Sequence, residues 1–123
     1  MPATEVTIYQ EGNGKAPLVE WINGLARKVR RKCHARISAL GESGNELRDP
    51  ICRYLDDGIW ELRFKKGKVN YRILYAFYGQ NAVLLTHGIT KEDEVPKNEI
   101  ERAKRYLTNY RNDSKLHTYP GEP

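Results

Sequence analysis

Apolar and polar positions alternate with period two over residues 59–65, 68–77 and 82–90. In the first stretch Trp60, Leu62 and Phe64 alternate with Glu61, Arg63 and Lys65. In the second, Val69, Tyr71, Ile73, Tyr75 and Phe77 share one face. Alternation of aromatic and β-branched residues, broken by glycines, predicts three strands joined as two hairpins. Val6 and Ile8 against Glu5 and Thr7 predict a fourth, short strand over residues 4–10. Elsewhere the period changes to that of a helix. Leu18, Trp21, Ile22 and Leu25 follow Pro17, which suits a first helical turn. Val29, Cys33, Ile37 and Leu40 make the stripe of a second helix over residues 26–40, with Gly24 marking the break between the two. Ile100, Ala103, Leu107 and Tyr110 make the stripe of a last helix, from Pro96 to residue 111. Pro50 and Asp57-Gly58 predict that residues 47–58 are a connector ending in a turn. Residues 112–123 lack periodicity and read as a flexible C-terminal tail.

This order predicts an α+β fold, β-α-α-β-β-β-α, as a single domain over residues 1–111. The expected sheet is four-stranded and mostly antiparallel, covered by helices on one face. A loop at Lys66-Gly67 sets Phe64 opposite Val69, Arg63 opposite Asn70 and Glu61 opposite Arg72. A loop at Gly79-Gln80 sets Arg72 opposite His87 and Lys68 opposite Lys91. One face then collects Glu61, Arg63, Lys65, Lys68, Asn70, Arg72, His87 and Lys91, open to solvent or a ligand. A slip of one residue in either hairpin would break the group, because it turns every side chain of the slipped strand over.

Composition narrows the class. A chain of 123 residues, 39% hydrophobic and 30% charged, suits one domain with a modest core. No apolar run approaches the ~20 residues that span a bilayer, and the start lacks a secretory profile. No membrane role and a cytoplasmic location are expected. Cys33 and Cys52 stand in no metal-ligand spacing and read as buried thiols. No metal site and no cofactor are expected. The net charge of +5 favours anionic partners. Arg27, Lys28, Arg30, Arg31, Lys32 and Arg36 crowd the second helix; the run reads either as the solvated face of an amphipathic helix or, with Arg30 and Arg31, as a docking surface for RNA phosphates.

The pieces GIWELRF, VNYRILYAF, LLTHGITK and VPKNEIERAK, in this order, resemble the RelE/ParE toxin superfamily. They are most similar to its phage-type HigB-like branch, over residues 4–110. The resemblance implies the toxin of a type II toxin–antitoxin pair, acting in the ribosomal A site as an mRNA endonuclease without a metal. It implies a cognate antitoxin, expected to be a small helix-turn-helix protein. By this resemblance Arg63, Arg72, His87 and Lys91 match the family's site positions. Glu92 stands where the family often has a second lysine.

RNA can be cut without a metal by attack of its own 2′-hydroxyl on the adjacent phosphorus. A protein then helps remove a proton, stabilises the charged phosphorane and protonates the leaving oxygen. Arg63 and Arg72 suit the charge, since guanidinium forks pair with phosphate oxygens. Lys65, Lys66, Lys68 and Asn70 can hold neighbouring RNA. His87 titrates near neutrality when unperturbed, which makes it the candidate acid or base, with Glu61 a second base. Tyr106 or Tyr110 can reach back from the last helix. The plainer alternatives are surface ion pairs for the arginines and a structural histidine. At the level of function, the alternatives are a ParE-like inhibitor of DNA gyrase and a silent relative that only binds its antitoxin.

Overall fold

The computed structural model describes residues 3–90 and 93–121. Nine elements follow one another: β1 (Glu5–Ile8), α1 (Pro17–Asn23), α2 (Arg27–Ser43), a single 3-10 turn (Gly44–Glu46), β2 (Cys52–Asp56), β3 (Ile59–Lys66), β4 (Val69–Gly79), β5 (Ala82–Thr90) and α3 (Lys97–Asn112). The strands form one sheet in the order β1-β5-β4-β3-β2. β1 runs parallel to β5, and the other three ladders are antiparallel.

The helices begin and end where the local chemistry dictates. Pro17 opens α1, where its missing N–H costs nothing. Gly24 closes it, its N–H bonded back to the carbonyls of Glu20 and Trp21. α2 buries Val29, Cys33, Ile37 and Leu40, the stripe expected of it. These side chains, with Leu18 and Ile22 of α1, pack on Leu62, Phe64, Ile73, Tyr75, Val83 and Leu85 of the sheet. Cys33 and Cys52 are both free and buried.

The sheet has five strands, not four. Residues 52–56, expected to be connector, form β2 and pair with β3, setting Arg53 opposite Glu61 and Cys52 opposite Leu62. Asp57 and Gly58 have φ of 49° and 83°, the left-handed pair that a two-residue hairpin turn needs. The Asp-Gly turn therefore joins two strands rather than leading into the first.

Registers differ from expectation by two residues. Arg63 stands opposite Arg72, Lys65 opposite Asn70 and Lys66 opposite Val69. His87 stands opposite Leu74, and Arg72 opposite Ile89. Where the shift is even, as for Arg63, Arg72 and His87, each side chain keeps its face; over residues 75–77 it is odd, which turns Val83 and Leu85 to the α1–α2 face and Leu84 to the α3 face. The β4–β5 ladder also carries two irregularities, one at Phe77/Gly79 and one at Leu74/Tyr75, so its register changes along its length.

The larger correction concerns cover. The helices lie on both faces of the sheet. α3 packs on the face expected to be open, where Ile59, Leu74, Ala76, Ile89 and Ala103 form a second apolar cluster. Tyr9, Leu84, Tyr106 and Tyr110 form a third beside it. That face carries the charged residues, but Leu74, Ala76, Leu84 and Ile89 lie among them and need burial.

The chain after α3 folds back on the sheet edge. Thr118 bridges to Tyr9, Tyr119 N donates to the Ile8 carbonyl, and His117 stacks on Tyr9 at 5.3 Å. These contacts set the described residues 117–119 against the β1 edge of the sheet.

Candidate active site

Three arginines surround one buried carboxylate. Glu61, on β3, is 3% exposed. Its Oε2 lies 3.1 Å from Arg72 Nε on β4, and its Oε1 lies 3.4 Å from Arg63 Nε, two residues along its own strand. Arg53 stands opposite Glu61 on β2. Asp49 Oδ1 bridges the outer pair, 3.4 Å from Arg63 Nη1 and 3.5 Å from Arg53 Nε. Arg72 Nη2 also donates to the Asp93 carbonyl at 2.7 Å. Two guanidinium groups on directly opposed residues would repel; Glu61 between them allows the arrangement. Burial pushes the Glu61 carboxyl up, and Arg72, Arg63 and Arg53 pull it partly back. Glu61 and Asp49 face the three arginines directly, and Asp93 and Glu94 also line the cavity beside them.

The cluster opens into a cavity of about 280 Å³ lined by Arg53, Leu55, Glu61, Arg72, Ile100 and the Asp93–Val95 turn. Arg72 forms its floor, nearly buried. Arg53 lines it with its side chain 53% exposed, while Arg63, 30% exposed, lines a neighbouring cavity of about 280 Å³ with Arg36, Pro50, Phe64, Lys65 and Asn70. Lys91 and Glu92 lie outside the described residues.

His87 does not join this group. It sits on β5 beneath α3, 1% exposed. Its Nδ1 is 3.1 Å from Thr86 Oγ1. Its Nε2 is 3.4 Å from Glu99 Oε1 but has no hydrogen-bond partner. The Tyr106 ring meets it edge-on at 5.8 Å. Burial, then the charges of Arg102 and Arg105, push its pKa down to about 3. Glu99 alone would act the other way, but loss of water outweighs it. The imidazole is therefore neutral near pH 7. It lines a separate cleft of about 330 Å³ with Trp21, Gly88, Arg102 and Tyr106.

The remaining candidates are spread out. Lys65, Lys66 and Lys68 are exposed around the β3–β4 turn, where Gly67 has φ +61°, and Asn70 is half-buried opposite Lys65. Arg30 is half-buried and Arg31 exposed on α2. Tyr106 accepts a hydrogen bond from Arg102 Nε at 2.7 Å, and Tyr110 packs against Tyr78; neither lines the arginine cavity. Arg53 and Asp49 were missed. Reading Asp57-Gly58 as a hairpin loop would have set Arg53 near Glu61.

Among the described residues no group of three or more His, Cys, Asp or Glu can hold a metal ion. No described helix is long and apolar enough to cross a membrane.

The chain is thus a small α+β protein with a buried arginine–carboxylate cluster on a mixed sheet. Residues 20–108 match the family described as Phage derived protein Gp49-like (DUF891), and the chain belongs to that family, within the RelE/HigB-like toxin superfamily. None of the curated proteins matches the chain.

Proposed function

We propose that this chain is the toxin of a type II toxin–antitoxin pair and that it cleaves mRNA in the ribosomal A site. The family supports a toxin with a cognate antitoxin. The observation that carries the chemistry is the convergence of Arg53, Arg63 and Arg72 on Glu61, with Arg53 and Arg63 partly exposed.

In this reading a phosphodiester docks on Arg63 and Arg53 and displaces the exposed Asp49. The 2′-hydroxyl oxygen attacks phosphorus as its proton is removed, the bond from phosphorus to the 5′-oxygen breaks, and that oxygen takes a proton from solvent, so the products are a 2′,3′-cyclic phosphate and a 5′-hydroxyl. Arg63 and Arg53 neutralise the charge gathering on the phosphorane. Arg72 holds Glu61 in place, and Glu61, beside Arg63, is the carboxylate assigned to take the hydroxyl proton. Lys91, assigned to the site by resemblance, belongs to the segment joining β5 to α3. His87 is given no proton step. The antitoxin is expected to be a small helix-turn-helix protein, and action on ribosomes implies the cytoplasm.

The test is Arg63→Ala in a translating extract, with RNA 5′ ends mapped. Cleavage should be lost while the circular dichroism spectrum and melting are kept. Undiminished cleavage would reject the site.

A second reading is a relative that works by binding alone, either as a ParE-like gyrase inhibitor or by capturing its antitoxin. One observation favours it: among the described residues, no histidine touches the arginine cluster. The two readings differ in what stops first on expression, protein synthesis or DNA replication.

A further inference from the structure

The seam where α2 lies along the end of β3 is lined by cations. Lys32 Nζ donates to the Lys65 carbonyl at 2.9 Å, and Arg36 Nε donates to the Arg63 carbonyl at 3.1 Å. Two adjoining cavities, about 220 and 280 Å³, share Arg36, Phe64 and Lys65 as walls. Lys32 belongs to the first, Arg63 and Asn70 to the second, and no carboxylate lines either. The nearest acid is the exposed Asp49 beside Arg63. Lys28, one helical turn before Lys32, continues the row. Arg30 and Arg31 fall on other faces of the helix.

Three features select the ligand. The bond from Arg36 Nε fixes the guanidinium plane, so the terminal nitrogens point in a set direction, as paired contact with phosphate oxygens requires. The carbonyls of residues 63 and 65 are already occupied by Arg36 and Lys32. With the Arg63 N–H also taken by the Ile51 carbonyl, this edge is poorly suited to adding an extended peptide as a strand. Phe64 is 5% exposed and offers no surface for a base to stack on. What remains is charge, spaced along a groove that ends at Arg63.

We propose that the α2–β3 seam is a sequence-independent phosphodiester track for single-stranded RNA, leading the strand to the arginine cluster. This rests on the nuclease reading for its destination, but its test needs no cleavage. Binding of a short labelled oligouridine RNA is measured by fluorescence anisotropy over a series of NaCl concentrations. Each lost phosphate contact on a single strand lowers the slope of log affinity against log salt by about 0.7. Lys65→Gln, which removes no backbone contact, should lower it by about 0.7, and Lys32→Gln with Lys65→Gln by about 1.4. Lys115→Gln, on the exposed tail, should leave it unchanged. A wild-type slope in both seam variants overturns the proposal, as does an equal loss in Lys115→Gln. So does competition by polyglutamate of equal charge as strong as that by unlabelled RNA, since the seam would then be a surface for an acidic protein. If the seam variants lose slope but wild-type protein cuts no RNA in extracts, the nuclease reading fails and the track stands.

Discussion

Glu61 Oε2 and Arg72 Nε lie 3.1 Å apart on neighbouring strands, with both side chains almost wholly buried. Attraction between them is strong where water is excluded, but so is the cost of taking each out of water. The pair is therefore a structural commitment: neither partner is tolerable alone. Arg63 and Arg53 stand outside it, exposed enough to meet a ligand.

Arg72→Ala leaves Glu61 buried with its closest partner gone. We expect a loss of about 3–5 kcal/mol in urea unfolding. Arg72→Met combined with Glu61→Leu removes both charges and should recover most of it, because a buried pair and an apolar pair of similar volume are near equal in stability. The double variant should still fail to cleave RNA if the cluster does the chemistry. A double variant as unstable as Arg72→Ala would contradict this account.

His87 makes folding sensitive to acid. Its folded pKa is pushed down to about 3 from an ordinary 6.5. Below pH 6.5 the unfolded chain takes up a proton that the folded chain refuses. Its stabilising contribution is full above pH 6.5 and is lost as pH falls towards 3, reaching about 2–3 kcal/mol of loss by pH 4.5. Glu61, whose carboxyl is raised from 4.5, acts in the opposite sense: its contribution is full below 4.5 and is lost as pH rises through the folded value. His87→Leu isolates the histidine. Its stability relative to wild type should rise by about 2–3 kcal/mol between pH 7.5 and 4.5 in urea titrations. Parallel pH profiles for the two proteins would show that His87 is not held neutral.

Gly88 is where β5 lets α1 come close. A Cβ at Gly88 would overlap the indole of Trp21, whose Nε1 donates to Thr90 Oγ1 at 2.9 Å. Gly88→Ala should cost about 1–3 kcal/mol as the helix is forced off the strand. In a Trp21→Leu background the cost should shrink, since contacting residues do not add independently. An equal cost in both backgrounds would place the strain elsewhere.

The helical stripes were legible because both the period and the partners of the backbone lie within a few residues. Val29, Cys33, Ile37 and Leu40 needed nothing from the rest of the chain to be recognised as one face. So too with Trp60, Leu62 and Phe64 on β3. β2 was not legible. Arg53 and Tyr54 are both exposed, so the alternation that marks a half-buried strand is absent. The grouping of Glu61, Arg63 and Arg72 on one face was readable from alternation alone, whereas the exclusion of His87 was not. All four share that face, but alternation does not say which part of a face α3 covers.

The sequence by itself determined the types of the strongly periodic elements and the shared face of Glu61, Arg63 and Arg72, because both follow from local geometry; β2 and the faces of Val83, Leu84 and Leu85 beyond the β4–β5 bulge do not. Tertiary structure decided which strands pair, in which register, and where α3 sits. Registers two residues apart satisfy the same alternation and differ only in contacts between distant segments. Those contacts set Arg53 beside Glu61, lock Arg72 to it, and seal His87 under a helix. A face of charges thus became a buried pair with an arginine rim.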